Sequence, residues 1–359
     1  MHRLIALVFA LVFGTVHAAA VSDNAALDGV AYRIDIPDNW NHELVVYYHG
    51  YSIEPINFRE PLSPMFEPFL QRHYAVLQSA YSQSGWAVEQ GYADTEKLRQ
   101  YFEKKYGKPQ RTFVSGMSMG GTLTVMTIEK KPEIYAGALS LCGALEPTDR
   151  LMQRDFALRA AFDYYFPDLL GPLVPVPADY SPTDEMIAKI NHAFAQKPAA
   201  LRDLLHLYGA ADEKNFAPVI VFIGTDTVEM QHRAGGNPFG NADFIYTGTS
   251  NDYALNDGVK RYRADPKAAA YVAKWYSPTG NLTRPFLALH DTGDPLVPAS
   301  SAYEYAMTAQ RAGHGHNFVQ KYVNREGHCV FKPSEIGTAF DELVTWTDTG
   351  KRPDSGKLH

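Results

Sequence analysis

The stretch that most constrains the fold is Gly116-Met117-Ser118-Met119-Gly120, with Gly121 beside it. It lies between a short β-type run, Thr112-Phe113-Val114, and a run to Lys131 whose apolar residues Leu123, Val125, Met126 and Ile128 recur as on a helix. A serine hydroxyl is a weak nucleophile until it is held clear of the surface and given a base. A sharp strand-to-helix turn holds it clear, and glycines two residues to either side let the backbone turn without Cβ clashes. Ser118 therefore reads as a nucleophile on a strand–turn–helix unit, and such a unit calls for a parallel α/β sheet. The plainer alternative is a structural turn that happens to hold a serine.

Other segments supply the rest of such a sheet. Residues from Val30 to Ile36 alternate and then meet Pro37-Asp38-Asn39, which predicts a strand and turn. Leu44-Val45-Val46-Tyr47-Tyr48 is continuously apolar, as a central parallel strand should be, and runs into His49-Gly50-Tyr51-Ser52. Ligands of an open α/β sheet bind at the carboxyl ends of its strands, so this turn and the Ser118 turn should face one crevice. The amides of Met119, at a helix start, and of Tyr51 are then the expected oxyanion donors.

A strand at Tyr74 to Leu77 leads into the polar and aromatic loop from Ser79 to Trp86, where Tyr81 and Trp86 are candidates for a pocket wall. Gly91 to Tyr106 predicts a helix stopped by Gly107 and Pro109. Ala136 to Leu141 predicts another strand, ending at Cys142-Gly143. From Pro147 to Leu282 the β/α alternation stops. Helix-type segments at Asp149 to Phe166 and Asp184 to Leu207 are separated by a proline-rich connection from Pro167 to Pro182. Residues 147–282 thus read as a mainly helical cap, inserted at the carboxyl end of a strand and hanging over the crevice.

The sheet resumes at Phe286 to Leu289, which runs into His290-Asp291-Thr292-Gly293-Asp294-Pro295-Leu296-Val297-Pro298. A helix from Ser300 to Ala312, a strand from Phe318 to Val323 and Gly327-His328-Cys329 follow. The chain order Ser118, Asp294, His328 suits acyl transfer, with an imidazole taking the serine proton and a carboxylate fixing its tautomer. Asp291 is the rival acid.

The amino terminus has Arg3, an apolar run from Leu4 to Val12 and Val16-His17-Ala18, the pattern of a secretory signal cut after Ala18, with Ala19 or Ala20 as alternatives. The formal charge is −7 and becomes −8 once Arg3 leaves, which points to neither nucleic acid nor an anionic membrane as partner. No C-x-x-C or H-E-x-x-H spacing is present, so neither metal nor cofactor is expected. Of the two cysteines, Cys142 ends the strand after the Ser118 helix and Cys329 directly follows His328, so parallel topology brings both loops to one edge of the crevice, and in a secreted chain they can form one disulfide. Two separate buried thiols are the alternative.

His49-Gly50, the Ser118 turn, Gly293-Asp294-Pro295-Leu296-Val297-Pro298 and Gly327-His328 together resemble the α/β-hydrolase superfamily, over the chain outside the cap. Within it the chain is similar to secreted esterases and to prolyl-oligopeptidase-like serine peptidases. It lacks the His-Gly-Gly-Gly loop of one lipase group, and no β-propeller precedes the core. The resemblance implies a mostly parallel sheet with helices on both faces, divided as signal 1–18, core 19–146, cap 147–282 and core 283–359. It also implies a secreted or periplasmic serine hydrolase acting on a small-molecule ester or a peptide. Carboxylic ester cleavage is the first expectation and peptide cleavage the second, for which the cap acids Glu229 or Asp243 would serve as terminus anchors. An inactive binding protein on the same fold is a remote third.

Overall fold

The computed structural model describes residues 21–58, 61–209, 213–214 and 216–359. The expected signal lies outside them. The first strand, β1 (Val21–Leu27), turns through Asp28 and Gly29, both at positive φ, into β2 (Val30–Ile36), with Leu27 paired to Val30. Two consecutive positive-φ residues give the turn whose twist matches an antiparallel hairpin. Then come β3 (Glu43–Tyr48), α1 (Glu67–Gln71), β4 (Ala75–Ser79), α2 (Val88–Tyr106), β5 (Arg111–Met117), α3 (Met119–Lys130) and β6 (Tyr135–Leu141).

Between β6 and the next strand the described residues form six α-helices and no strand. These are α4 (Thr148–Tyr165), α5 (Asp184–Gln196), α6 (Pro198–Tyr208), α7 (Phe216–Ala234), α8 (Asp252–Gly258) and α9 (Pro266–Tyr276). The single helix expected from Asp184 to Leu207 is two. Pro198 lacks an N–H and disfavours helical backbone at Lys197, so α5 stops there and Pro198 opens α6. The chain then returns as β7 (Phe286–Gly293), α10 (Ser300–Arg311), β8 (Phe318–Glu326), α11 (Pro333–Thr349) and β9 (Gly356–Lys357).

The sheet order is β1-β2-β4-β3-β5-β6-β7-β8-β9. The β1–β2 and β2–β4 pairs are antiparallel and every later pair is parallel. Central strands are apolar on both sides because both faces are covered. On β3, Leu44, Val46 and Tyr48 join one core with residues of α2 and α3, while Val45 and Tyr47 join another with Phe69 of α1 and Phe340 of α11. The two-residue alternation of a strand thus feeds two separate hydrophobic layers. Strands β3, β5, β6 and β7 point their carboxyl ends the same way, so the loops after them share one rim. Among the described residues no helix is long and apolar enough to cross a membrane.

Candidate active site

Strand β5 ends at Met117, α3 begins at Met119, and Ser118 alone makes the corner, with φ 55° and ψ −122°. A non-glycine residue rarely adopts that backbone, so the turn is strained and the surrounding structure must hold it. The flanking glycines matter for close approach rather than for positive φ. A Cβ at Gly116 would run into the Gly120 carbonyl, and one at Gly120 into the Tyr48 carbonyl of β3. Met119 is the first residue of its helix, so its amide has no intrahelical acceptor and points out of the helix start.

His328, on the loop after β8, stands between the other two residues named from chain order. Its Nε2 lies 2.8 Å from Ser118 Oγ, and its Nδ1 lies 2.6 Å from Asp294 Oδ2. With the proton on Nδ1 the ring donates to the carboxylate and accepts from the serine hydroxyl, the tautomer a general base needs. Asp294 is buried, and its other oxygen accepts the Leu296 amide at 2.8 Å and the Val297 amide at 2.9 Å. One carboxylate oxygen is thereby held by the turn that follows β7 and the other by His328.

Asp291, the rival acid, makes no hydrogen bond or ion pair with the imidazole, whose Nδ1 is taken by Asp294. Its side chain is fully buried and neither oxygen has a hydrogen-bond partner among the described residues. Burial, then the nearby Asp294 charge, pushes its carboxyl up to about 6. The strand alternation explains the choice: Asp291 is still inside β7, whereas Asp294 lies past its end, where the chain can turn toward His328. His290, Asp291 and Asp294 are close enough to share a cation, their ligand atoms lying within 4.8 Å. However, His290 Nε2 donates to the Val297 carbonyl and Asp294 is committed to His328, so the two best donors are already used.

The loop after β3 is pinned from behind. The Tyr81 ring stacks on His49 with centroids 3.8 Å apart, its hydroxyl donates to the His49 carbonyl at 3.1 Å, and the Gly85 amide donates to the Ser52 carbonyl at 2.7 Å. Burial holds the His49 imidazole down at about 4, so it stays neutral. Tyr81 is therefore a correction to the expected pocket pair: it is buried beneath the His49 turn and does not line the cavity at Ser118. Trp86 does line that cavity, as does Tyr51, whose ring lies 5.8 Å from Trp86 and 5.5 Å from Phe222 of α7.

The insertion closes the cavity from above. Phe222, Ile223 and Asp226 of α7, Asp155 of α4 and Tyr208 of α6 complete its wall. It is fastened to the core loop by hydrogen bonds. Glu229 accepts the Trp86 amide at 2.5 Å, Asp226 accepts the Trp86 indole N–H at 2.6 Å, and Arg233 donates to the Ser84 carbonyl at 2.6 Å and to Glu229 at 2.8 Å. Glu229 is thus occupied structurally, and Asp243 is exposed outside the cavity, so neither of the expected terminus anchors faces Ser118. Asp155 and Asp226 do, and sequence reasoning missed both. A signal existed for one of them: Asp226 is the lone charged residue in the apolar run from Phe216 to Val228.

Cys142, at the end of β6, and Cys329 form a disulfide, with Cα atoms 5.3 Å apart across 187 residues. It ties the loop carrying His328 to the strand next to β5.

A model of the prolyl oligopeptidase family matches residues 84–163, the segment that contains the Ser118 turn. An o-phthalyl amidase of Xanthobacter agilis is 22% identical over 405 aligned residues, spanning 91% of this chain and 87% of that protein. An esterase of Pyrococcus furiosus superposes with a TM-score of 0.46 at 14% identity, over 90% of this chain and 91% of that one. Est1E of Butyrivibrio proteoclasticus, with ferulic acid bound, gives 0.46 at 13% identity, over 90% and 99%. The acylaminoacyl peptidase of Pyrococcus horikoshii gives 0.46 at 10% identity, over 91% of this chain and 40% of that one.

Proposed function

We propose that this chain, an α/β-hydrolase by its fold, is a serine hydrolase that cleaves carboxylic esters through an acyl-enzyme. The observation that carries the reading is His328 held between Ser118 and Asp294 at hydrogen-bond distance on both sides. Ser118 Oγ attacks the ester carbonyl as its proton passes to His328 Nε2. Asp294 keeps the ring in the accepting tautomer and stabilises the imidazolium that forms. The Met119 amide, helped by the helix start, and the Tyr51 amide stabilise the oxyanion. His328 then returns the proton to the departing alcohol, leaving Ser118 acylated. A water deprotonated by the same imidazole attacks the acyl carbon, and collapse of that second intermediate releases the acid and restores the hydroxyl.

Residues 147–282 act as a lid that limits what reaches Ser118, and the leader directs the chain to a secreted or periplasmic location, where the Cys142–Cys329 bridge persists. The likeness to an amidase and to a peptidase family favours a second reading, cleavage of an amide by the same steps, which adds the demand of protonating an amine leaving group. Matched p-nitrophenyl esters and p-nitroanilides of the same acids, assayed on the mature protein, test the choice. Ester turnover exceeding anilide turnover beyond the ratio of their intrinsic reactivities is expected. Equal or inverted ratios would move the assignment to amides.

A further inference from the structure

The free volume beside Ser118 is narrow, about 40 Å³, room for two or three water-sized groups. Two of its walls are carboxyl groups from the insertion. Asp226 is only 8% exposed, and of its two oxygens the Trp86 indole N–H reaches Oδ1. Asp155 has no hydrogen bond or ion pair among the described residues. The nearby cations are engaged elsewhere: Arg154 bonds Glu146 at 3.0 Å and Arg233 bonds Glu229. The remaining wall is aromatic and aliphatic, with Tyr51, Trp86 and Tyr208 among the lining side chains.

Neither carboxyl has a cation beside it in the cavity, Asp226 being buried and Asp155 half-buried. Burial, opposed by Arg154 and reinforced by Glu146, pushes Asp155 up to about 7. Burial, opposed by the Trp86 bond and reinforced by Asp155 and Glu229, holds Asp226 well above the carboxylate range. An anionic group entering here would meet like charge once either acid ionised. A plain alkyl chain would leave Asp155 without a partner and Asp226 with the Trp86 indole N–H alone. A small cation supplies the missing charge and hydrogen bonds, and the aromatic rings add cation–π attraction.

We propose that this cavity selects substrates whose acyl group carries a small ammonium, bound by Asp155 and Asp226 beside the rings of Trp86 and Tyr51. The inference rests on Ser118 being the nucleophile of the proposed reaction.

The test compares the p-nitrophenyl esters of butyrate and β-alanine, in which a terminal methyl is exchanged for ammonium at nearly constant size, each kcat/KM divided by that ester's hydroxide rate. The β-alanine ester should be preferred by at least about tenfold, the worth of one charge-assisted hydrogen bond. Asp155→Asn and Asp226→Asn should each reduce that ratio severalfold, and the double variant should bring it near one. Should Asp226→Asn fail to fold, Asp155→Asn decides alone, because Asp155 makes no bond that folding would miss. A ratio at or below one in the wild type, or one unchanged in Asp155→Asn, overturns the ammonium inference while turnover of both esters leaves the hydrolase reading standing. No turnover of either ester, with Ser118 inert to a fluorophosphonate, overturns both.

Discussion

The parallel sheet and the helical insertion meet at one cavity but are built on different physics. In the sheet, backbone ladders between neighbouring strands fix the ends of β5, β7 and β8, and Ser118, Asp294 and His328 follow those ends. In the insertion, helices pack on one another through an apolar interior, and one helix, α7, is fastened to the core through Asp226, Glu229 and Arg233 at residues 84–86. The difference assigns separate tasks. The sheet sets where Ser118, Asp294 and His328 meet, while the insertion sets which groups stand around them, and side chains can be exchanged there without moving Ser118.

The largest effect should follow from a change on the sheet side. Asp294→Asn keeps the size of the side chain but favours the wrong imidazole tautomer, so kcat should fall by roughly four orders of magnitude with KM little changed. Steady-state kinetics on a p-nitrophenyl ester check this, and a fall of less than tenfold would mean that Asp294 does not serve His328.

Loss of the bridge should come next. Closing 187 residues stabilises the fold by roughly 5 kcal/mol in the chain-entropy model. The Cys142→Ser/Cys329→Ser variant should lose a large part of that in urea unfolding. It should also lose kcat at temperatures where the sheet survives, because the released loop carries His328. Unchanged kcat below the unfolding transition would separate the bridge from the site.

Asp291 offers a pH test of the same strand end. Its folded-state carboxyl stays protonated up to about 6, while the unfolded group ionises near its ordinary value of 3.8. The folded state therefore binds more protons between those values, and stability from this group is present below pH 3.8 and lost as pH rises through 6. Asp291→Asn should gain stability relative to the wild type as pH is raised from 3.5 to 7, on the order of 2 kcal/mol. A constant difference across that range would show that Asp291 does not titrate there.

The smallest effect belongs to the insertion. Phe222→Ala widens the wall beside Tyr51 and should shift KM for longer acyl esters by about tenfold, with p-nitrophenyl acetate affected only a few fold. An equal loss on both esters would place Phe222 in the support of the nucleophile turn instead.

The same contrast decides how much could be read from the sequence. Strands β2 to β8 announce themselves as alternating or apolar runs, and residues 118, 294 and 328 each lie in a glycine-containing turn after such a run, so their convergence follows from topology. The edge strands β1 and β9 did not stand out, because β1 is largely exposed and polar and β9 is two residues long. The cavity wall was less legible. Tyr81 and Trp86 lie on one loop, yet Tyr81 turns under His49 and Trp86 faces Ser118, a division that depends on tertiary packing. Asp155 and Asp226 reach the cavity only because α4 and α7 pack as they do, and no spacing in the chain encodes that meeting.

The most direct measurement is peptide mapping of the mature protein after exposure to a fluorophosphonate. A single adduct on the peptide carrying Ser118 is expected, absent from Ser118→Ala while that variant keeps the wild-type circular dichroism and unfolding midpoint. An adduct on any other serine, or full labelling of a folded Ser118→Ala, would contradict the assignment of Ser118 as the nucleophile.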